Sequence, residues 1–303
     1  YIFSKKEMDI KEELKKYQEI INKELSQKVS KQECMEKELN QAMEYSLMAG
    51  GKRIRPILVL ATYQLFKNDI EKAIPYANAI EMIHNFILIH DDLPGIDNDD
   101  FRHGKPTNHK QFNEATAILA GDALINLGYQ TISEDVKNTK NNEELERKLK
   151  IFNEFTIAVG KMIAGEYIDT GFEGKKISNE ELKYIHSHKT GELIKLPVRM
   201  GAILAGASEK ELESLTKYSE NIGLAFQIKD DILSEEGDEK ILGKPVGNDK
   251  EMEKCTYVSQ YGLEGAKEQL NKITKEAIAN LEQFKEKAEF LKELAIYIKE
   301  RNK

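Results

Sequence analysis

The chain has 303 residues, of which 40% are hydrophobic and 32% charged, enough to bury a substantial core in one large domain or two small ones. Its net charge of -8 argues against a general nucleic-acid-binding protein. Cys34 and Cys255 lie far apart without metal-ligand spacing, which indicates reduced thiols. No apolar run approaches about 20 residues, and the sequence does not begin with a signal peptide. We therefore expect a cytoplasmic protein without a membrane span.

Apolar residues recur at helical spacing along nearly the whole chain, and its six prolines leave room for long helices. Residues 1–30 predict an amphipathic N-terminal helix that is rich in Lys and Glu. Because the sequence begins with Tyr1 rather than Met, we expect this end to be truncated or to carry added residues. The further predicted helices cover residues 34–49, 55–67, 71–93, 112–135, 143–169, 178–206, 208–234, 251–284 and 288–300.

Several predicted helices are apolar on most of their faces, which is typical of helices at the centre of a bundle. Ala115–Leu127 and Leu193–Leu204 are examples. No long stretch alternates apolar and polar residues, and no shift in composition marks a domain boundary. We therefore expect residues 1–303 to form one all-α domain. Its helices should break at Gly50–Gly51, Pro94–Gly95, Gly171–Gly174 and Gly243–Gly247.

A basic turn is predicted at residues 50–56 (GGKRIRP). Its two glycines allow the backbone to turn tightly, and Pro56 suits the first turn of the following helix. The N-terminus of a helix also attracts anions through its backbone N–H groups. Lys52 and Arg55 are three positions apart, so both can be aimed at one anion. The other interpretation is a solvated basic turn.

The densest cluster of charge lies in residues 84–107 (HNFILIHDDLPGIDNDDFRHGKPT). Pro94 should end the preceding apolar helix near Asp92, directly after Asp91, so that Asp97 is presented from a turn. Neighbouring carboxylates repel each other, and Mg2+ prefers such oxygen ligands together with substrate phosphates and water. The cluster therefore predicts phosphate or diphosphate chemistry rather than a calcium loop, because the EF-hand spacing is missing. The basic residues that follow are Arg102, His103 and Lys105.

The helix before this acidic cluster carries three further candidate residues. His84 lies about two turns before Asp91 and can face the same cavity, although a lone His on an apolar helix is more often a satisfied buried group. Phe86 and Ile87 lie one turn before the Asp pair and would line the space below the carboxylates. Ordinary core packing explains these two residues equally well.

A second acidic site is predicted in residues 226–234 (FQIKDDILS). Its polar residues are three or four positions apart and are predicted to share one helix face. Each of these features is common on its own. The combination of two Asp pairs on mostly apolar helices with three separate basic clusters is uncommon. The polar residues of this site are Gln227, Asp230, Asp231 and Ser234. Lys189 and Thr190 in HKTG (residues 188–191) can hold a phosphate, and Lys244 lies in the Gly-rich stretch LGKPVGND (residues 242–249).

From about residue 45 to its end, the chain resembles the trans-prenyl diphosphate synthases, and within them the bacterial farnesyl diphosphate synthase (geranyltranstransferase) branch. The resemblance implies a single all-α helical bundle around a large central cavity, of the isoprenoid synthase type, usually as a homodimer. It also implies head-to-tail condensation of isopentenyl diphosphate with an allylic diphosphate. The motifs that carry the resemblance are, in order, GGKRIRP, IHNFILIHDDLPGIDNDDFRHGKPT, ILAGDAL, HKTGELI, GLAFQIKDDIL, LGKPVGND and a terminal RNK.

The same resemblance implies a role for each candidate residue. Three Mg2+ per active site would bridge the two acidic sites and the allylic diphosphate, held by Asp91, Asp92, Asp97, Asp230 and Asp231. The leaving diphosphate would be neutralised by Arg102, Lys189 and Lys244, so the implied catalytic residues are these three with Asp91, Asp92 and Asp230. The allylic side would include Thr190 and Gln227, and the isopentenyl diphosphate would be held by Lys52, Arg55 and His84.

Two positions depart from the family pattern. His103 stands where the family usually has a second arginine that contacts isopentenyl diphosphate, and imidazole offers fewer donors than guanidinium. Ser234 replaces the third Asp of the second motif. Neither change removes the implied core metal ligands, so we still expect activity.

Phe86 matches the aromatic floor that stops chain growth at fifteen carbons in this branch, and Ile87 can shorten the cavity further. We therefore predict farnesyl diphosphate, made from dimethylallyl and geranyl diphosphate, with a geranyl or geranylgeranyl diphosphate synthase as the alternative. Of the other classes, a class I terpene cyclase would need a different second metal motif, and a catalytically silent partner subunit would show no turnover alone.

Overall fold

The structure is a computed structural model that describes residues 8–29, 34–171, 178–236 and 256–302. These residues are almost entirely α-helical, so the predicted all-α fold is confirmed. They form two compact units: the first contains Lys11–Asn153 and Ile203–Gly206, and the second contains the described parts of Tyr1–Ile10, Glu154–Ala202 and Ala207–Lys303. That residues 1–303 form a single domain stays a prediction.

The first unit contains six helices among the described residues, with a small hairpin before the fifth. Its elements are α1 (Ile10–Val29), α2 (Lys37–Leu47), α3 (Ile54–Tyr63), a 3-10 turn (Ile70–Lys72), α4 (Ile74–Asp91), β1 (Phe101–Arg102), β2 (Lys105–Pro106), α5 (Asn108–Gln111) and α6 (Glu114–Lys137). The next helix, α7 (Asn142–Gly171), begins in this unit and contributes its later residues to the second.

α4 is the central helix of the first unit. It is apolar on most faces, buries Ile80 and Ile83 completely, and packs against α3 and α6. Burial of one such side chain contributes about 1.5–3 kcal/mol. The α6 residue Gly128 allows this close packing, because a Cβ there would lie 3.3 Å from the Ala79 carbonyl oxygen. As predicted from Pro94, the helix ends at the first Asp pair, after which the chain turns.

The second unit is built from helices that pack around α10. α10 packs extensively against α11, and the Tyr218 hydroxyl donates to the Leu291 carbonyl oxygen at 2.7 Å, which joins α10 to α12. The elements of this unit are α8 (Asn179–His186), a π-helical turn (Ser187–Gly191), α9 (Glu192–Ala205), α10 (Glu209–Glu236), α11 (Tyr257–Ala279), a 3-10 turn (Glu282–Ala288) and α12 (Glu289–Glu300).

Three features differ from the predicted helices. The helix predicted over residues 178–206 is interrupted by the π turn, and the one predicted over residues 251–284 ends at Ala279 and breaks at Gly262, where φ is 70°. Residues 251–255 lie outside the described part. The hairpin of β1 and β2 was not predicted, because two-residue strands have no alternating pattern to detect.

None of the described helices combines the length and apolarity needed to cross a membrane. Cys34 has a free thiol, and Cys255 lies outside the described ranges.

Candidate active site

The basic turn before α3 contains one arginine with a structural role. Arg53 is 4% exposed and adopts a left-handed conformation with φ of 56°. Its Nε donates to Asn22 Oδ1 at 2.9 Å, its Nη1 to Glu81 Oε1 at 2.6 Å, and its Nη2 to the Leu47 carbonyl oxygen. Arg53 therefore joins α1, α2 and α4 and fixes the turn from which Lys52 is presented.

Arg55 lies on the other side of this turn and contacts His84. Arg55 Nη1 lies 3.3 Å from His84 Nε2. Burial, and then the positive charge of Arg55, hold the pKa of His84 well below its ordinary value. The imidazole is therefore neutral at pH 7, and Nε2 can accept a hydrogen bond from the guanidinium. Arg55 Nε is buried without a hydrogen-bond partner among the described residues, which suits an anion that arrives as a ligand.

The hairpin brings Arg102 onto the end of α4. Arg102 Nε lies 3.0 and 2.9 Å from the two carboxylate oxygens of Asp92, and Nη2 lies 2.5 Å from Oδ1. His103 and Gly104 form the corner with φ of 52° and 74°, the two positive values of a type I′ hairpin turn. This turn directs the strand back toward the helix, so that Arg102 and buried Asp92 form a two-pronged ion pair.

His103 lies against the basic turn. Its Nε2 is 3.8 Å from the position that a Cβ on Gly51 would occupy. Partial burial, and then the charges of Arg102 and Arg53, lower the pKa of His103, although Asp92 and Glu81 act in the opposite direction. His103 therefore lies beside Gly51 of the basic turn and lacks the permanent charge of arginine.

Asp91 and Asp97 are joined through the backbone, since the Asp97 N–H donates to the Asp91 carbonyl oxygen at 2.8 Å. Asp91 is 7% exposed and Asp97 is exposed. We call Lys52, Arg55, His84, Asp91, Asp92, Asp97, Arg102 and His103 the first cluster. All of them belong to the first unit.

Phe86 and Ile87 are each 9% exposed on α4. The Phe86 ring meets the His90 ring edge to face, with centroids 4.9 Å apart. His90 Nε2 lies 2.9 Å from the Ile118 carbonyl oxygen on α6, so this nitrogen carries a proton and donates it. A Cβ on Gly121 would lie 2.2 Å from the same nitrogen. Sequence reasoning missed that His90 and Gly121 support the predicted floor.

In the second unit, the π turn carries Lys189 and Thr190. Such turns are frequent at functional sites. Lys189 Nζ lies 2.7 Å from Glu166 Oε2 and 2.8 Å from Asp169 Oδ2, both on α7. Neither carboxylate was identified from the sequence, because their partner lies about twenty positions away.

Asp230 and Asp231 point in different directions, so the prediction of one shared face is wrong for this pair. The Asp230 side chain is 52% exposed, and its carboxylate accepts a hydrogen bond from Arg301 Nη2. Asp231 is 8% exposed and accepts the Tyr257 N–H at 2.8 Å, at the start of α11. Successive residues of a helix are about 100° apart, which separates the two carboxylates.

Gln227 lines a cavity of about 490 Å3 within the second unit, together with Gly191, Glu192 and Tyr257. We call Lys189, Thr190, Gln227, Asp230 and Asp231 the second cluster. Ser234 follows one turn later on α10. Lys244, its Gly-rich loop and Lys303 lie outside the described residues.

The chemistry of both acidic sites fits Mg2+. Among the described residues, no three His, Cys, Asp or Glu side chains are grouped as a protein-only metal site. Mg2+ does not need such a site, because it is usually held by one or two carboxylates, with phosphate oxygens and water completing its shell. Asp91 with Asp97, and separately Asp230, are the carboxylates that fit. Asp92 already engages Arg102 through both oxygens, so its predicted metal role stays a prediction.

Comparison with known proteins gives the family. The polyprenyl synthetase family matches residues 36–295. The chain is 46% identical over 267 residues to the farnesyl diphosphate synthase of Micrococcus luteus, covering 88% of this chain and 90% of the relative. It is 44% identical to the geranylgeranyl diphosphate synthase of Cyanophora paradoxa, covering 86% and 87%. A crystal structure of an FPP/GFPP synthase from Zymomonas mobilis aligns with a TM-score of 0.84 at 35% identity, covering 95% of this chain and 98% of that one.

The chain therefore belongs to the polyprenyl synthetase family. This confirms the predicted family and the predicted class of enzyme, a prenyltransferase. The roles of single residues, the number of metal ions and the oligomeric state stay predictions.

Proposed function

We propose that this enzyme condenses isopentenyl diphosphate head to tail with dimethylallyl and then geranyl diphosphate to give farnesyl diphosphate. The observation that carries the proposal is the contact of partly buried Arg55 with neutral His84 on α4, the helix that ends at Asp91. A guanidinium with an unused buried donor, in contact with a histidine two turns before a carboxylate pair, suits one diphosphate held by cations and another held through metal.

In the proposed reaction the first cluster binds both diphosphate groups. Arg55, His84 and Lys52 hold isopentenyl diphosphate, and His103 adds a weaker contact. Asp91 and Asp97 would hold Mg2+, which when bound supplies positive charge to the phosphate oxygens while the allylic C–O bond breaks. Arg102 would share the developing negative charge from its fixed position on Asp92.

The second cluster would also contact a diphosphate group. Lys189 donates to phosphate oxygens, and Asp230 is the proposed metal ligand on α10. The double bond of isopentenyl diphosphate attacks the allylic cation, and the released diphosphate accepts the proton that is lost. Apolar side chains such as Phe86 and Ile87 exclude water, which would otherwise capture the cation.

The support for a fifteen-carbon product is the position of Phe86. Its ring is held from one side by His90, which is itself fixed by the Ile118 carbonyl oxygen and fits against Gly121. A floor supported by a neighbouring helix resists the growing prenyl tail better than a free side chain. A geranylgeranyl diphosphate synthase is the alternative, since a relative of that name is nearly as similar.

We further propose that two copies of the chain associate. α6 exposes Ile118 by 39% and Leu119 by 55%. α7 exposes Ile157 by 50%, Ile163 by 49% and Tyr167 by 77%. Exposed apolar groups of this kind mark interaction surfaces, and a second copy is the occupant that the family resemblance implies. Light scattering after size exclusion should give twice the chain mass, and a monomer at micromolar concentration would contradict the proposal.

Product analysis tests the function. Purified protein is mixed with Mg2+ and labelled isopentenyl diphosphate, with dimethylallyl or geranyl diphosphate in separate reactions, and the dephosphorylated products are sized by chromatography. A fifteen-carbon product from both primers is expected. A twenty-carbon product would favour the geranylgeranyl alternative, and no product at saturating substrates would favour a silent subunit.

A further inference from the structure

The amino group of Lys189 is shared by two carboxylates of α7. Lys189 Nζ lies 2.7 Å from Glu166 Oε2 and 2.8 Å from Asp169 Oδ2. The side chain of Glu166 is 16% exposed and that of Asp169 is 45% exposed, so the Glu166 pair is the better shielded from water. We propose that Glu166 and Asp169 are positioning residues that hold the Lys189 ammonium in the ligand-free protein and release it to a diphosphate group.

The backbone brings the three groups together. Gly165 lies on α7 directly before Glu166, and a Cβ there would come within 3.0 Å of both the His188 Cβ and the Lys189 backbone nitrogen. Only glycine allows α7 to approach the π turn this closely, because two of the nearest atoms belong to the backbone of that turn. The close approach places the lysine within one side-chain length of the two acidic residues.

The charge balance explains why the contact should be exchanged rather than kept. One ammonium and two carboxylates leave a local excess of one negative charge, which repels a diphosphate. If Lys189 turns from the carboxylates to phosphate oxygens, it gains a charge-assisted hydrogen bond of the same kind. Glu166 and Asp169 therefore compete with the ligand for Lys189, which weakens ground-state binding and also helps the product diphosphate to leave.

This inference rests on the proposed function of Lys189 as a diphosphate contact. Binding of inorganic pyrophosphate with Mg2+, measured by isothermal titration calorimetry, tests it without requiring turnover. Glu166→Gln should tighten pyrophosphate binding about five-fold, the upper range for a partly exposed ion pair. The KM for the allylic substrate should fall in parallel while kcat does not rise, whereas a purely structural role would weaken binding or leave it unchanged.

Glu154, which also lies on α7, offers a matched control in the same unit. Its side chain is 22% exposed, and Oε1 lies 2.7 Å from Arg199 Nη2. Glu154→Gln removes the same charge from beside another cation and should leave pyrophosphate affinity within two-fold, as expected for a change outside the contact. Asp169→Asn, at the more exposed partner, should act in the same direction as Glu166→Gln with a smaller effect, and it provides the test if the Glu166 variant does not fold.

A double-mutant cycle separates competition for the lysine from simple repulsion. In a Lys189→Met background, Glu166→Gln should change pyrophosphate affinity by less than half of its effect in the wild type on a logarithmic scale. The full effect in that background, or no effect of Glu166→Gln in the wild type, would overturn the inference. Failure of the wild type to bind pyrophosphate or to form product would instead count against the proposed function.

Discussion

Arg102 and Asp92 form a two-pronged ion pair in which one guanidinium nitrogen, Nε, reaches both carboxylate oxygens at 3.0 and 2.9 Å. The Asp92 side chain is 4% exposed and that of Arg102 28% exposed, so the pair is anchored in protein while the remaining guanidinium nitrogen, Nη1, can face a ligand. A carboxylate that a sequence motif assigns to metal binding thus also fixes a cation.

From this ion pair we predict that the planar geometry of the Arg102 guanidinium contributes more to catalysis than its positive charge alone. Arg102→Lys keeps the charge, but an ammonium cannot contact both oxygens of Asp92 and a phosphate at fixed angles. We expect kcat to fall at least about ten-fold, a loss of roughly 1.4 kcal/mol in transition-state stabilisation. Steady-state kinetics with thermal unfolding measures this, and unchanged kcat would show that Arg102 acts only as a charge. The exposed ion pair of Lys110 and Asp100 is the control: Lys110→Ala should change neither kcat nor the thermal unfolding temperature.

Arg53 and Arg55 are two positions apart and should have opposite phenotypes. Arg53→Met leaves Glu81 buried without its cation and should lower the free energy of unfolding by about 3–5 kcal/mol. Arg55→Met removes a guanidinium with an unused buried donor, so stability should change little while the KM for isopentenyl diphosphate rises at least ten-fold, as loss of a charged hydrogen bond implies. Denaturant unfolding and steady-state kinetics on both variants test these two roles. Similar losses of stability in the two variants would contradict a structural role for Arg53 and a binding role for Arg55.

His84 should make folding stability depend on pH. Its pKa in the folded protein is well below the 6.5 of an ordinary histidine. Above pH 6.5 the imidazole is therefore neutral in both the folded and the unfolded state, and His84 does not contribute to the pH dependence of stability. As the pH falls below 6.5, the unfolded chain binds a proton that the folded protein does not, and stability is lost by up to about 1.4 kcal/mol per pH unit.

Denaturant unfolding between about pH 7.5 and 5.5 measures this slope. Because the change is local, His84→Gln should remove that part of the slope and leave the rest. An identical pH dependence in the variant and the wild type would show that His84 titrates normally.

The product-length floor gives a prediction with a conservative control. Phe86→Ala should open the space that Phe86 shares with His90 and shift the main product from fifteen to twenty carbons, whereas Phe86→Tyr keeps the bulk and should keep the product. Product sizing by chromatography measures the outcome. A fifteen-carbon product from the alanine variant would place the limit elsewhere, with Ile87 as the next residue to change.

Much of the first cluster could be predicted from the sequence, because its members lie close together in the chain. His84, Phe86 and Asp91 are on one helix whose end is set by Pro94, and Arg102 follows within about ten positions. The ion pair of Arg102 with Asp92 could not be read in advance, since it depends on the left-handed conformations of His103 and Gly104.

The second cluster was less predictable. Helical periodicity predicts the direction of a side chain around the helix axis to within about a quarter turn. This precision was too low to distinguish Asp230, which is exposed, from Asp231, which caps α11. The carboxylates that hold Lys189 and the arginine that holds Asp230 are separated from their partners by 20 or more positions, and no local pattern reports such contacts.

Arg301 at the end of the described chain predicts a competition with Mg2+. Its guanidinium contacts the Asp230 carboxylate, donates to the Phe226 carbonyl oxygen at 3.2 Å, and lies 3.9 Å from the centre of the Phe226 ring. If Asp230 is a metal ligand, Mg2+ and Arg301 compete for it. Arg301→Met should therefore lower the Mg2+ concentration for half-maximal activity about three-fold, within the range of a half-exposed ion pair.

Arg301→Lys restores a charge and should return the Mg2+ dependence toward that of the wild type, although the stacking on Phe226 is weaker. Titration of activity with Mg2+ at fixed substrate distinguishes the possibilities. A higher Mg2+ requirement in Arg301→Met would mean that Arg301 holds Asp230 ready for the metal instead of competing with it. An unchanged requirement would separate the C-terminus from the metal site altogether, and deletion of residues 301–303 should then leave kinetics intact.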